Sequence, residues 1–170
     1  LHPERGHEVS VTAGYLINGS SSLCMQFQGA ARVTQRACSG GGSALPQVWS
    51  VLSTAEGGQT FRVRTGRAQC IGIPAGDATA GTPAQTQTCL TGSTQADQYQ
   101  KWQFVRGARL DTSGGNSAVN YFYYQMRNLG SGRCLSSNGS TVPETQIVQA
   151  RCSAGAVPAG HQQAWAFARR

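Results

Sequence analysis

The tripeptides Gln47-Val48-Trp49, Gln100-Lys101-Trp102 and Gln163-Ala164-Trp165 hold every tryptophan of a chain that has three. A Trp buries a large apolar surface and needs a partner for its indole N–H. One per recurrence of a short motif therefore marks an equivalent place in a shared core. The Gln two residues earlier is predicted to lie on the same side of a strand and to pair with turn backbone.

The six cysteines fall around these tripeptides in a fixed order. Cys24 and Cys38 precede Trp49, Cys70 and Cys89 precede Trp102, and Cys134 and Cys152 precede Trp165. Ahead of each first cysteine stand "YLINGSSSLC" from Tyr15, "FRVRTGRAQC" from Phe61 and "YQMRNLGSGRC" from Tyr124. An aromatic residue, an apolar one two positions on, a Gly/Ser turn and then Cys describe a short strand closed by a tight turn. The chain is thus read as three copies of one unit, over about 13–56, 57–108 and 109–170, behind an N-terminal arm of residues 1–12.

Each copy has room for four short strands, of the kind seen around Leu16, Cys24, Val33 and Trp49, with turn residues between them. Propellers also use four strands per unit, but they close with roughly four to eight blades. The expectation is an all-β chain closed into a capped barrel with threefold pseudosymmetry, and no amphipathic helix of useful length. The last copy is longer because "RGARLDTSGGNSAVNYFYY" separates Trp102 from the third motif. Its Gly-Gly pair reads as loop and Tyr121–Tyr124 as strand. In that strand Tyr124 and Phe122 should share the core face, and Tyr121 and Tyr123 the other.

Composition sets further bounds. The 170 residues suit one domain, and 22 Gly with 12% charged residues point to solubility resting on neutral polar groups and turns. Of the 14 basic residues only Lys101 is lysine, and net charge is +7. The arginines are scattered, without the clustered stripe of a nucleic-acid reader, so nucleic acid ranks well behind other partners. No run approaches the roughly 18 apolar residues of a membrane span. An even cysteine count points to an oxidising compartment and an exported protein.

These residues resemble the ricin B-type lectin family, β-trefoils whose repeats carry a cysteine pair and Q-x-W, and the resemblance runs from about Tyr15 to Phe167. It implies three pseudo-repeats of four strands and one disulfide inside each: Cys24–Cys38, Cys70–Cys89 and Cys134–Cys152. Each such loop adds about 3 kcal/mol in the chain-entropy picture. In the family, sugar is held by an Asp two residues after the first cysteine, and here those places are Gln26, Gly72 and Ser136. The family's stacking aromatic, two residues before the second cysteine, is replaced by Arg36, Gln87 and Ala150.

The polar residues left for a sugar are Ser136, Asn138, Gln149, His161 and Gln162 in the third repeat. Gln26 and Arg36 in the first would suit a charged sugar, and Asp77 in "IPAGDATAG" stands in the second. "NGS" at Asn18 and Asn138 fits N-glycosylation in a host that glycosylates. His2, His7 and His161 sit in no catalytic motif, the acids Glu4, Glu8, Glu56, Asp77, Asp97, Asp111 and Glu144 are scattered, and no metal-ligand cluster or cofactor motif occurs. No catalytic or metal residue is assigned. Two functions follow. One is a secreted, non-catalytic module recognising a glycan or cell-surface glycoconjugate weakly through degenerate sites. The other is a scaffold or adaptor that binds a protein partner in a secreted toxin-like assembly.

Overall fold

A computed structural model describes residues 11–39, 46–92, 94–109 and 122–169. Most of the expected N-terminal arm, with His2, Glu4, His7 and Glu8, lies outside the described residues, as do Asp111, Tyr121 and the Gly-Gly segment of the long insertion.

Twelve strands make up this part of the chain. They are β1 (Val11–Asn18), β2 (Cys24–Gln28), β3 (Arg32–Arg36), β4 (Trp49–Ser53), β5 (Thr60–Arg64), β6 (Gln69–Gly72), β7 (Gln85–Thr88), β8 (Trp102–Arg109), β9 (Phe122–Asn128), β10 (Cys134–Ser136), β11 (Val148–Ala150) and β12 (Trp165–Arg169). A 3-10 turn over Ala96–Gln100 precedes β8. Residues 11 and 12, assigned to the arm from sequence, pair with Leu52 and Val51 as the start of β1.

The antiparallel pairings close a ring, β1–β4–β5–β8–β9–β12 and back to β1. Closure leaves these strands no free edge. The remaining strands form three hairpins, β2–β3, β6–β7 and β10–β11. They interlock as a cap over one end: Thr86 N–H donates to Ala31 O at 2.9 Å, Ile147 N–H to Val33 O at 2.9 Å, and Ala84 N–H to Ile147 O at 2.9 Å.

The core is made of residues from matching places in the three units. Leu16, Val63 and Met126 come from the first strands, and Met25, Ile71 and Leu135 from the position after each first cysteine. Val33, Ala84 and Ile147 fill the cap, and Trp49, Trp102 and Trp165 the centre. Strand alternation puts them there: in β4, Trp49 and Val51 are buried while Ser50 and Leu52 lie on the other face. Tyr124 packs against Phe104 with ring centroids 5.9 Å apart, and Phe122 lies under the Arg106 guanidinium at 4.3 Å.

Each Gln-x-Trp works as a two-point clamp. The indole N–H donates to the carbonyl just after the first cysteine: Trp49 to Met25 at 2.9 Å, Trp102 to Ile71 at 3.0 Å, Trp165 to Leu135 at 3.1 Å. The Gln amide takes the backbone on either side of the second. Gln47, Gln100 and Gln163 donate to the carbonyls of Ala37, Thr88 and Arg151. Their Oε1 atoms accept from the N–H groups of Ser39, Leu90 and Ser153. These Gln residues precede the strands rather than lying within them, because β4, β8 and β12 all begin at Trp. The three disulfides pair within the units, with Cα–Cα distances of 5.0, 5.1 and 5.0 Å.

Asparagines tie unit to unit. Asn18 Oδ1 caps the turn at Ser20 and Ser21, while its amide donates to Gln162 O at 2.9 Å. Asn128 does the same with Gly130, Ser131 and Tyr99 O. Asn18 is 1% exposed, so the first "NGS" has no amide free to carry a glycan, whereas Asn138 is exposed.

The second unit adds buried charge. Asp97 is fully buried between Arg62 and Lys101, with Lys101 Nζ 2.7 Å from Asp97 Oδ2 and 2.6 Å from Glu56 Oε1. Burial pushes the Glu56 carboxyl up, but hydrogen bonds from Lys101, its own N–H and Thr54, with the Lys101 charge, bring it from 4.5 down to about 2. A depressed carboxyl stabilises the fold above its unfolded value and loses that contribution as pH falls toward the folded one. Urea unfolding from pH 7 to pH 2 is expected to show Glu56→Gln less stable than the parent at pH 7. The gap should narrow as pH falls from about 4.5 toward 2. A gap that stays constant with pH would contradict this assignment.

Candidate functional site

The three places where a sugar acceptor is expected are each filled from within. In the first unit Gln26 is 7% exposed, and its Oε1 accepts from the clamp amide of Gln47 at 3.2 Å. Its companion Arg36 turns outward to Glu144 of the third unit, Nε to Oε1 at 3.1 Å, and Gln28 donates to the same carboxylate. The charged-sugar pair expected from sequence is therefore divided, one member in the clamp and one in an ion pair.

In the second unit a Cβ on Gly72 would stand 2.5 Å from Gln87 Oε1, so the Gln87 side chain occupies the acceptor position. That oxygen accepts from the clamp amide of Gln100 at 2.9 Å. Asp77 closes its own turn, with Oδ1 accepting from Thr79 N–H at 2.8 Å and Oδ2 from the Thr82 hydroxyl at 3.1 Å. The Thr79 N–H, outweighing a little desolvation and helped by the Thr79 and Thr82 hydroxyls, holds this carboxyl below its ordinary value.

The third unit divides its residues by depth. Ser136 is fully buried, its hydroxyl accepting from Asn138 N–H at 2.9 Å. Gln149 is also fully buried and donates to Asp77 O at 3.2 Å and Thr79 O at 2.9 Å. It latches the second unit's loop to the third unit's hairpin. Gln35 does the equivalent work in the first unit, donating to Ser140 O of the third at 2.8 Å. Above this layer Asn138 is exposed, and His161 and Gln162 are half-buried. Ser137 N–H bonds to Gln162 O at 3.1 Å, and Gln162 Oε1 stands 3.1 Å from where a Cβ on Gly139 would be. The structure thus brings Asn138, His161 and Gln162 onto one polar shelf.

His161 and Ser153 make a Ser–His contact, Nε2 to Oγ at 3.0 Å. His161 Nδ1 accepts from Gln163 N–H at 3.0 Å, which places the neutral ring's proton on Nε2. The ring then donates to Ser153, the reverse of what activates a hydroxyl nucleophile. With both His161 ring nitrogens taken, the Asn138 and Gln162 amides supply the shelf's neutral donors and acceptors, suited to hydroxyl recognition. Among the described residues no group of three or more His, Cys, Asp or Glu could hold a metal ion.

Sequence reasoning did not single out Phe27 and Arg67, which line two larger clefts between the first and second units. The smaller is walled by the β2–β3 hairpin and Thr86 of β7, a meeting between units that no motif spacing encodes. Gln125, which donates to Gln163 Oε1 at 3.1 Å within the third unit, was not singled out either, because the other two units draw the matching glutamine from a hairpin strand.

No protein-family model matches the chain, and no curated protein matches it. Solved structures do. The designed threefold symmetric protein ThreeFoil aligns with TM-score 0.65 at 18% identity, covering 92% of this chain and 98% of that one. A ricin B-like lectin of Macrolepiota procera, in complex with lactose, gives 0.64 at 15% identity over 93% and 95%. A mosquitocidal holotoxin gives 0.66 at 12% identity over 95% of this chain, which spans only 17% of the holotoxin chain's length. The chain has a β-trefoil fold like that of the designed protein and the ricin B-like lectin.

The filled second-unit position is testable. Gly72→Ala sets a methyl group against Gln87 and is expected to destabilise the protein by about 1–3 kcal/mol, the usual cost of overpacking. In a Gln87→Ala background the same change should cost less than about 0.5 kcal/mol. Denaturant unfolding of the four proteins in this cycle measures it, and additive effects would show that Gln87 does not fill the position.

Proposed function

We propose that this protein is a lectin-like binding module, secreted and without catalytic activity, that recognises carbohydrate weakly through its third unit. The observation that carries this reading is the shelf of Asn138, His161 and Gln162, side by side on a fold shared with a lactose-bound lectin. Ser136 and Gln149 belong to the same site as supports beneath it, since one holds the Asn138 turn and the other the neighbouring loop. Gln26, Arg36 and Asp77 are secondary, because each would have to release an internal partner before meeting a ligand.

Neutral hydrogen bonds exchanged with water yield little net energy. With neither a carboxylate nor a Phe, Tyr or Trp ring among Asn138, His161 and Gln162, affinity belongs in the millimolar range, about 4 kcal/mol. Attachment to a larger assembly would raise it by avidity. A second reading, a rigid scaffold for a protein partner, is favoured by one observation: the acceptor positions at Gln26, Gly72 and Ser136 are all taken up internally.

NMR titration with galactose and lactose separates the two. The lectin reading expects shifts at Ser137–Ser140 and His161–Gln162 with a millimolar Kd, weakened several-fold in Asn138→Ala and unchanged in Gln26→Ala. No shift with either sugar, together with a stoichiometric protein partner, would favour the scaffold.

A further inference from the structure

Openings lie between the first and second units. Two clefts of ≈ 270 and ≈ 490 Å³ meet there along a ridge made by Phe27 and Arg67, which line both. The smaller runs between the hairpin tip at Gly29–Ala31 and Gln69 and Thr86, and the larger continues over Pro46 and Val48. We infer that this double cleft binds a carboxylate-bearing sugar, with Arg67 taking the carboxylate and Phe27 the apolar face of the ring. The ligand class rests on the lectin-like reading above, while the location departs from it.

The chemistry of the ridge comes first. Phe27 packs edge-on against Trp49, centroids 5.5 Å apart and planes at 77°, so its orientation is fixed by the core. A ring held this way loses little freedom on meeting a ligand. The Arg67 guanidinium presents the planar fork that matches a carboxylate.

The charge balance comes next. Each described carboxylate is committed elsewhere: Glu56 and Asp97 to Lys101, Glu144 to Arg36, and Asp77 to Thr79 and Thr82. None of these ion pairs includes Arg67, and the chain as a whole carries +7. The same count explains why Arg36, the sequence candidate for an acidic sugar, is the weaker choice, since Glu144 already sits on it.

The cleft wall is also strained. Ala30 and Ala31 both have φ of 62°, left-handed backbone that alanine seldom adopts. Docking to β7 through Thr86 N–H and Ala31 O holds them there. Strain kept in place by surrounding structure gathers at ligand sites. Here it leaves a tip of Gly29, Ala30 and Ala31, whose small side chains keep the cleft open above Phe27.

The test is an NMR titration of the whole chain at low salt with 3′-sialyllactose, sodium glucuronate and lactose. The expected result is shifts at Phe27–Ala31 and Gly66–Gln69 for the two acidic ligands, with sialyllactose binding about tenfold tighter than lactose. About tenfold should be lost in Arg67→Gln and in Phe27→Leu, and nothing in Arg127→Gln. Because Arg67 is exposed, an unchanged melting temperature checks that Arg67→Gln remains folded. Acidic-sugar binding that survives Arg67→Gln, or that shifts only Asn138 and Gln162, would overturn the cleft and leave the lectin reading standing. Shifts gathered instead at Arg106 and Arg127, which line a separate cleft beside the Cys134–Cys152 disulfide, would overturn it as charge attraction without the ring. No response to any of the three sugars would overturn both readings, and a Glu-rich peptide shifting Phe27–Ala31 in their place would assign the cleft to a protein ligand.

Discussion

The structure depends on one hydrogen-bonding arrangement used three times. A glutamine amide satisfies the carbonyl before and the N–H after the second cysteine of a unit, and the tryptophan two residues on satisfies the carbonyl after the first. Short hairpins carry too few ladder bonds to use all their backbone groups, and a buried group left unpaired costs about 1–3 kcal/mol. Gln-x-Trp supplies the missing partners from side chains already committed to the core. The disulfide between the same two backbone segments then limits how far they separate in the unfolded chain.

The clamp also accounts for the state of the positions where the resemblance placed a sugar acceptor. In each unit the clamp glutamine bonds a further glutamine, Gln26, Gln87 or Gln125. Amide groups that could meet a ligand in the first two units are thereby turned inward. The third unit draws its extra glutamine from β9 instead of the hairpin, and this leaves the Asn138 and Gln162 surface outside the clamp. The open surfaces include a polar shelf in one unit and an arginine–phenylalanine cleft between the two others.

The repeat and the core tryptophans could be read from the sequence because each depends on residues close together within one unit, and the disulfide pairing followed from the family resemblance those residues carry. Cys24, Cys38 and Trp49 announce their relationship by recurring. The roles of Arg36, Gln149 and Asp77 could not be read in this way. Arg36 meets Glu144, and Gln149 meets the backbone of Asp77 and Thr79, across unit boundaries. Those meetings follow from how the hairpins interlock, which no single repeat records. Gly72 looked like a missing side chain until Gln87 was seen in its space. Asn18 and Asn138 share the tripeptide "NGS" yet differ in exposure, because the Asn18 amide reaches across to Gln162 O in the third unit.

The claim that the clamp secures each second half-cystine can be tested by native-state hydrogen exchange at the N–H groups of Ser39, Leu90 and Ser153. These amides lie in connections between strands, and their acceptors are the side chains of Gln47, Gln100 and Gln163. The account predicts that all three exchange only through global unfolding, with protection matching the amides of Trp49, Trp102 and Trp165. Exchange at the fast rates of exposed loop amides, while the barrel strands stay protected, would contradict it.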